Sequence, residues 1–235
     1  MTLKLRHTIL LAVFVLIGCG GSVIPENPIN DLRDQYLNEY QYSIILNDMD
    51  LEGDQYKHKY KIMKIKKDGS VSFDYTEWRS VDDYFFELHE PNLGMQILSK
   101  NEEGIYNNLA TPPGFQFIVG NQKYGAWKRE PNEVFLSDDE IWKFNEKYID
   151  LNKKLELEQV KVTRAEFDQF NKKYAYNRPF YGQKYHKDSS KYGTYSRHWI
   201  IMRPLFYQRR FTKGYFNKNT FGSGGGNRGG GGFGK

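Results

Sequence analysis

Apolar and polar positions alternate most cleanly between residues 56 and 75. Tyr56, His58, Tyr60 and Ile62 are interleaved with Lys57, Lys59 and Lys61; Val71, Phe73 and Tyr75 are interleaved with Ser72, Asp74 and Thr76. Between them lies the turn signal Lys67-Asp68-Gly69-Ser70, so the pattern predicts two strands joined as a hairpin. A preceding strand is expected over Tyr40–Leu46, where Tyr42, Ile44 and Leu46 alternate. Two further short strands are expected at Tyr84–Leu88 and Met95–Ser99, and a turn at Asn101–Gly104 leads to Ile105-Tyr106. Residues 40–120 therefore read as an antiparallel sheet of about five strands.

The period then changes. Ser137 and Glu140 have the spacing of a capping box, and Ile141, Phe144, Tyr148, Leu151 and Leu155 follow at helical intervals. Thr163 and Glu166 repeat the box ahead of Phe167, Phe170 and Tyr174, which predicts a second helix. A helical turn or two is expected from Asp31 to about Glu39, with Leu32 and Tyr36 on one face. Strands followed by helices indicate an α+β fold: a sheet covered by one or two helices, spanning residues 31–176. Past Asn177 no period is sustained. Arg197–Phe206 is expected as one returning strand, and the glycine-rich residues 222–235 as a flexible end to a basic tail over 177–235.

The first nineteen residues change the picture. Lys4 and Arg6 precede the apolar stretch Thr8–Ile17, which closes on Gly18 and Cys19, the layout of a secretory signal. The stretch is much shorter than the ~20 residues that cross a bilayer. Leu16-Ile17-Gly18-Cys19 resembles the lipobox of bacterial lipoproteins. The resemblance implies cleavage after residue 18, acylation of Cys19 and anchorage in the cell envelope; the Gly/Ser/Pro composition that follows reads residues 19–30 as a tether. Because Gly20 and not Asp follows the cysteine, it also implies the outer membrane of a Gram-negative host. Thr111-Pro112-Pro113-Gly114, Val119-Gly120-Asn121 and Tyr124-Gly125-Ala126-Trp127 resemble a pattern in uncharacterised bacterial lipoproteins, which carries no activity with it. With a single cysteine, no intramolecular disulfide can form.

Composition suits a β-rich core. Hydrophobic residues make up 39% of the 235 and aromatics 16%, so Tyr and Phe supply much of the burial. Charge is divided unevenly. Residues 171–235 carry 14 Lys or Arg against one acid, Asp188, leaving −8 on the first 170. Asymmetry of this kind marks a basic segment attached to an acidic body.

Catalytic motifs do not emerge. His58, His89, His186 and His198 have no metal-ligand spacing, and no Gly-x-Ser-x-Gly or phosphate loop is present, so neither metal nor cofactor is expected. Asp138, Asp139 and Glu140 suit the first turn of a helix. A hydrolase or glycan-processing site in the aromatic loop from Gly114 to Trp127 is the alternative, needing two acids brought together by the fold.

The basic, aromatic C-terminal region is the best binding candidate: Arg203, Arg209, Arg210 and Lys213 interleaved with Phe206, Tyr207 and Phe211, with Trp127 as a further aromatic contact. In the cytoplasm this mixture would suggest single-stranded nucleic acid. An export signal argues for lipid phosphates, wall polymers or acidic proteins instead, each cation near an anionic surface contributing about 1 kcal/mol. The same cations can also fold back onto the acidic remainder of the chain. The expectation is an anchored, non-enzymatic binding or structural component of the envelope.

Overall fold

The computed structural model describes residues 27–129, 140–182 and 190–213. It begins with helix α1 (Pro28–Gln35), where the Asn27 side chain accepts a hydrogen bond from the Ile29 N–H at 3.0 Å and Pro28 fills a first-turn position that needs no donor. Strands β1 (Gln41–Glu52), β2 (Gln55–Ile65) and β3 (Val71–Tyr75) follow as a meander. The second turn is the expected one: Gly69 at φ 75° takes the left-handed position in which a side chain would be strained. β4 (Arg79–Val81) pairs with β2; helix α2 (Asp83–His89) then leads to β5 (Gln96–Lys100) and β6 (Tyr106–Asn107). The resulting antiparallel sheet has the order β3-β2-β1-β5-β6, so the architecture is α+β.

β1 is twelve residues long and runs past the alternation that ends at Leu46. A bulge between Leu46 and Asp48 shifts its phase by one residue. Tyr42, Ile44 and Leu46 are thereby joined by Met49 in one core, while Asp48, Asp50 and Glu52 alternate with Met49 and Leu51. That first core contains Ile29 and Leu32 of α1 and Phe86 of α2. Ile45 and Met63 belong to a second core with Phe115, Ile118 and Tyr124, so apolar layers cover both faces of the sheet.

Three segments depart from the expected elements. Tyr84–Leu88 is helical, because the Asp82 carboxylate accepts from the Phe85 N–H at 2.5 Å and only Phe86 of the alternating apolar set is buried. Ile141–Phe144 is a strand, β8, paired with β7 (Gly125–Lys128) as a separate two-stranded sheet. The Trp142 N–H donates to the Val162 carbonyl at 2.9 Å and its ring meets Trp127, which holds the segment extended. Helical geometry starts with a 3₁₀ turn over Glu146–Tyr148 that runs into α3 (Ile149–Lys154), which buries Leu151. The Ser137 end of the proposed capping box lies outside the described residues. α4 (Arg164–Ala175) begins at Thr163 as the spacing predicts, with Thr163 Oγ1 accepting from the Glu166 N–H at 3.2 Å.

The third departure is the largest. Arg197–Phe206 is not a strand but helix α5 (Arg197–Met202) running into α6 (Pro204–Lys213). Ser196 caps the first through the Trp199 N–H at 3.1 Å, and Pro204, lacking an N–H, separates the two. Residues 177–213, placed by sequence in the tail, supply Phe180, Tyr192, Trp199, Phe206 and Tyr207 to the buried interior. Gly94, at φ 74°, has the Trp199 ring where a Cβ would sit. The glycine-rich residues 222–235 lie outside the described residues.

Candidate functional site

The joint between α5 and α6 is held by one glutamate. Arg203, between the helices, donates to Glu156 in a fork, Nε to Oε2 at 3.2 Å and a terminal nitrogen to Oε1 at 2.6 Å; its other terminal nitrogen donates to the Asn47 carbonyl at the β1 bulge. Lys61 reaches the same carboxylate from β2, at 3.1 Å, and also the Lys154 carbonyl at 2.8 Å. His198 Nε2 lies 2.8 Å from the Glu156 carbonyl. Burial pushes the Lys61 pKa down, and Glu156 opposes that shift. Glu156 itself has φ 58°, a left-handed conformation unusual for a side chain of this size.

The remaining cations of α6 are paired with the body as well. Arg209 meets Asp48 at 2.8 Å and Lys213 meets Asp50 at 2.9 Å, both acids on the late half of β1. Arg210 is buried 3.5 Å from Glu90 and over the Tyr195 ring, while Tyr195 donates to the same glutamate. Burial raises the Glu90 pKa, with Tyr195 and Arg210 pulling it back. Glu166 shows the same balance, since burial raises its pKa and Lys191, at 2.5 Å, lowers it. The positive segment is thus bound to the acids of its own chain.

Of the aromatic candidates, Phe206 and Tyr207 are buried in the first core, with Tyr207 donating to the Thr194 carbonyl. Phe211 stands 75% exposed. Trp127 lies elsewhere, against Trp142 and Phe167 with Arg164 over its ring, so the fold does not bring it to the α5–α6 pair. In the Gly114–Trp127 loop, Phe115 and Tyr124 point into the second core. Cys19 lies outside the described residues.

What α5 and α6 present outward is apolar. Ile200, Ile201, Met202 and Leu205 are exposed by 47%, 59%, 39% and 69% at the joint between the helices. Three consecutive exposed apolar residues are uncommon on a folded surface and mark contact sites. Sequence reasoning missed this corner because it read the segment as a strand. It also missed Asp48, Asp50, Glu90 and Glu156; the alternation of Asp48, Asp50 and Glu52 past Leu46 was the available signal for the first two.

Among the described residues no helix is long and apolar enough to cross a membrane, and no group of three or more His, Cys, Asp or Glu is placed to hold a metal ion. Compared with known proteins, the chain matches no family model, no curated protein and no solved structure.

Proposed function

We propose that the protein is an exported, lipid-anchored binding component of the cell envelope whose α5–α6 corner rests on an anionic lipid surface. The observation that carries this reading is the exposed apolar set Ile200, Ile201, Met202 and Leu205 within a stretch, residues 189–235, that contains no acid. The lipobox resemblance at Leu16–Cys19 supplies the anchor, whose two or more acyl chains would keep the corner next to the bilayer. Arg203, Arg209, Arg210 and Lys213 serve to fix the corner against the body. Arg197, exposed at the start of α5, is the described cation that faces the lipid phosphates in this reading, and Lys218, Arg228 and Lys235 add positive charge to the sequence outside the described residues. An acidic protein or wall polymer would have to compete with the internal ion pairs for the same four side chains.

The test uses residues 19–235 with Cys19→Ser, which removes both the apolar signal and the acyl site. Sedimentation with vesicles containing phosphatidylglycerol is expected to pull the protein down in a salt-sensitive manner, and phosphatidylcholine vesicles to leave it in solution. Ile201→Glu with Leu205→Glu, both at exposed positions, is expected to weaken binding at least about tenfold without changing the thermal melt. Equal binding by that variant, or none by the parent, refutes the lipid contact; recovery on an acidic wall polymer instead would reassign the partner.

A further inference from the structure

We propose that a second site, a cleft of about 700 Å³ between α1, α2 and the β5–β6 edge, binds an amphiphilic carboxylate: an apolar chain ending in a single negative head. This inference stands apart from the lipid contact of the α5–α6 corner. The cleft volume falls within the ~300–1,000 Å³ range of small-molecule sites. Its lining includes an apolar set, with Ile29 of α1, Phe85 and Leu88 of α2, Leu98 of β5, and Leu109 and Pro179. Among the described residues that line it there is no Asp, Glu or Lys, and Arg33 is the one formally charged side chain.

The polar groups set the sign of the ligand. Arg33 lies 6.0 Å from the Tyr106 ring centre; its contact with Asp34, 3.5 Å on the exposed side, is of the weak surface kind. At the α2 end, the Tyr181 hydroxyl donates to Asn92 Oδ1 at 2.6 Å, and the Asn92 amide lies 3.1 Å from His89 Nδ1. An amide nitrogen can only donate, so Nδ1 accepts and the imidazole proton sits on Nε2. Burial also keeps this ring neutral, its pKa pushed down to about 4. The network thus fixes His89 as a neutral N–H donor in the cleft wall. Asn30 and Asn108 add further amide groups to the lining. One guanidinium and several neutral donors, with no carboxylate in the lining and Asp34 beside Arg33 outside it, complement a carboxylate head. A cationic head would find no countercharge, and a fully polar ligand would leave the apolar set unmatched.

The probe is dodecanoate, compared with dodecanol and dodecyltrimethylammonium, each below its aggregation concentration and titrated calorimetrically into residues 19–235 carrying Cys19→Ser. Dodecanoate is expected to bind at least about tenfold tighter than dodecanol, the worth of a charge-assisted hydrogen bond, and the ammonium compound not to bind. Arg33→Gln is expected to bring dodecanoate and dodecanol to similar affinity. Leu88→Glu, at an exposed position on the cleft rim, is expected to remove dodecanoate binding while the thermal melt stays unchanged. Equal binding of all three probes overturns the proposal, as does dodecanoate binding that survives both variants. The Ile201→Glu, Leu205→Glu variant separates the two sites. If it, and not Leu88→Glu, abolishes dodecanoate binding, the chain lies at the corner and the cleft assignment falls. If vesicle binding fails while dodecanoate binds as described, the lipid contact falls and the cleft stands.

Discussion

A glutamate with φ 58° needs a reason to stay there, and Glu156 has three: Lys61, Arg203 and His198 all converge on it. Lys61 is buried, so removing its countercharge leaves an ammonium without compensation in a low-dielectric setting. Glu156→Ala is accordingly expected to lower stability by roughly 3–5 kcal/mol in urea unfolding. Glu156→Gly also removes the backbone strain, and should recover no more than about 1 kcal/mol of that loss. A glycine variant as stable as the parent would mean that strain outweighs the ion pair at this position. Gly94 makes the complementary case. At φ 74° and against the Trp199 ring it has no room for a methyl group, and Gly94→Ala should cost at least about 1–3 kcal/mol in the same assay. Nothing in the local sequence around Glu156 signals its role, because its partners come from β2 and from the joint 47 residues downstream.

At the scale of elements, legibility followed local chemistry. The Asp68-Gly69 hairpin was readable because alternation and a left-handed glycine both lie within twenty residues. So was the start of α4, where Thr163 caps as its spacing predicts. Its Glu166, however, turns inward to Lys191 rather than back to the cap. α2 was not readable, since Tyr84, Phe86 and Leu88 alternate as in a strand and only burial of Phe86 alone distinguishes the helix. α6 was hidden by its own inner face, where Arg210 sits buried beside Phe206 and Tyr207 and breaks the apolar period. The division of charge was visible in composition, but the pairing of Arg209 with Asp48, 161 residues apart, was not. The inner and outer faces of this helix pair should respond differently to truncation. Phe206→Ala is expected to cost about 3–5 kcal/mol, and Ile201→Ala about 0.5 or less, by chemical denaturation.

The whole molecule should be sensitive to mild acid through its buried imidazoles. His58 is fully enclosed and its pKa lies well below the ordinary value because of burial, with His89 adding to the shift. His89 is lowered from 6.5 to about 4, again by burial. Both rings are neutral in the folded and unfolded chain above pH 7. Below about 6.5 the unfolded chain takes up protons that the folded one refuses, so stability falls as pH drops. The loss continues for His89 until the folded protein itself titrates near 4. The slope is about 1.4 kcal/mol per pH unit for each ring. Burial also lowers the His198 pKa, which adds to the loss, while the raised Glu90 and Glu166 carboxyls oppose it. Urea midpoints should therefore fall more steeply between pH 7 and 5 in the parent than in His89→Gln, and an equal slope in the two would contradict the burial of His89.

The ion pairs that fasten α6 to β1 join residues 161 and 163 positions apart. The β1–β2–β3 meander, by contrast, is complete by Tyr75. A chain released from its N-terminus onward can therefore form its hairpins early, yet must wait for the last described helix before its first core is closed. Until Phe206 and Tyr207 arrive, the half-made sheet stays open on one side. Closure of the first core is then timed by α6: a chain interrupted before this helix would be left as a substrate for proteolysis, and one that includes it would lock.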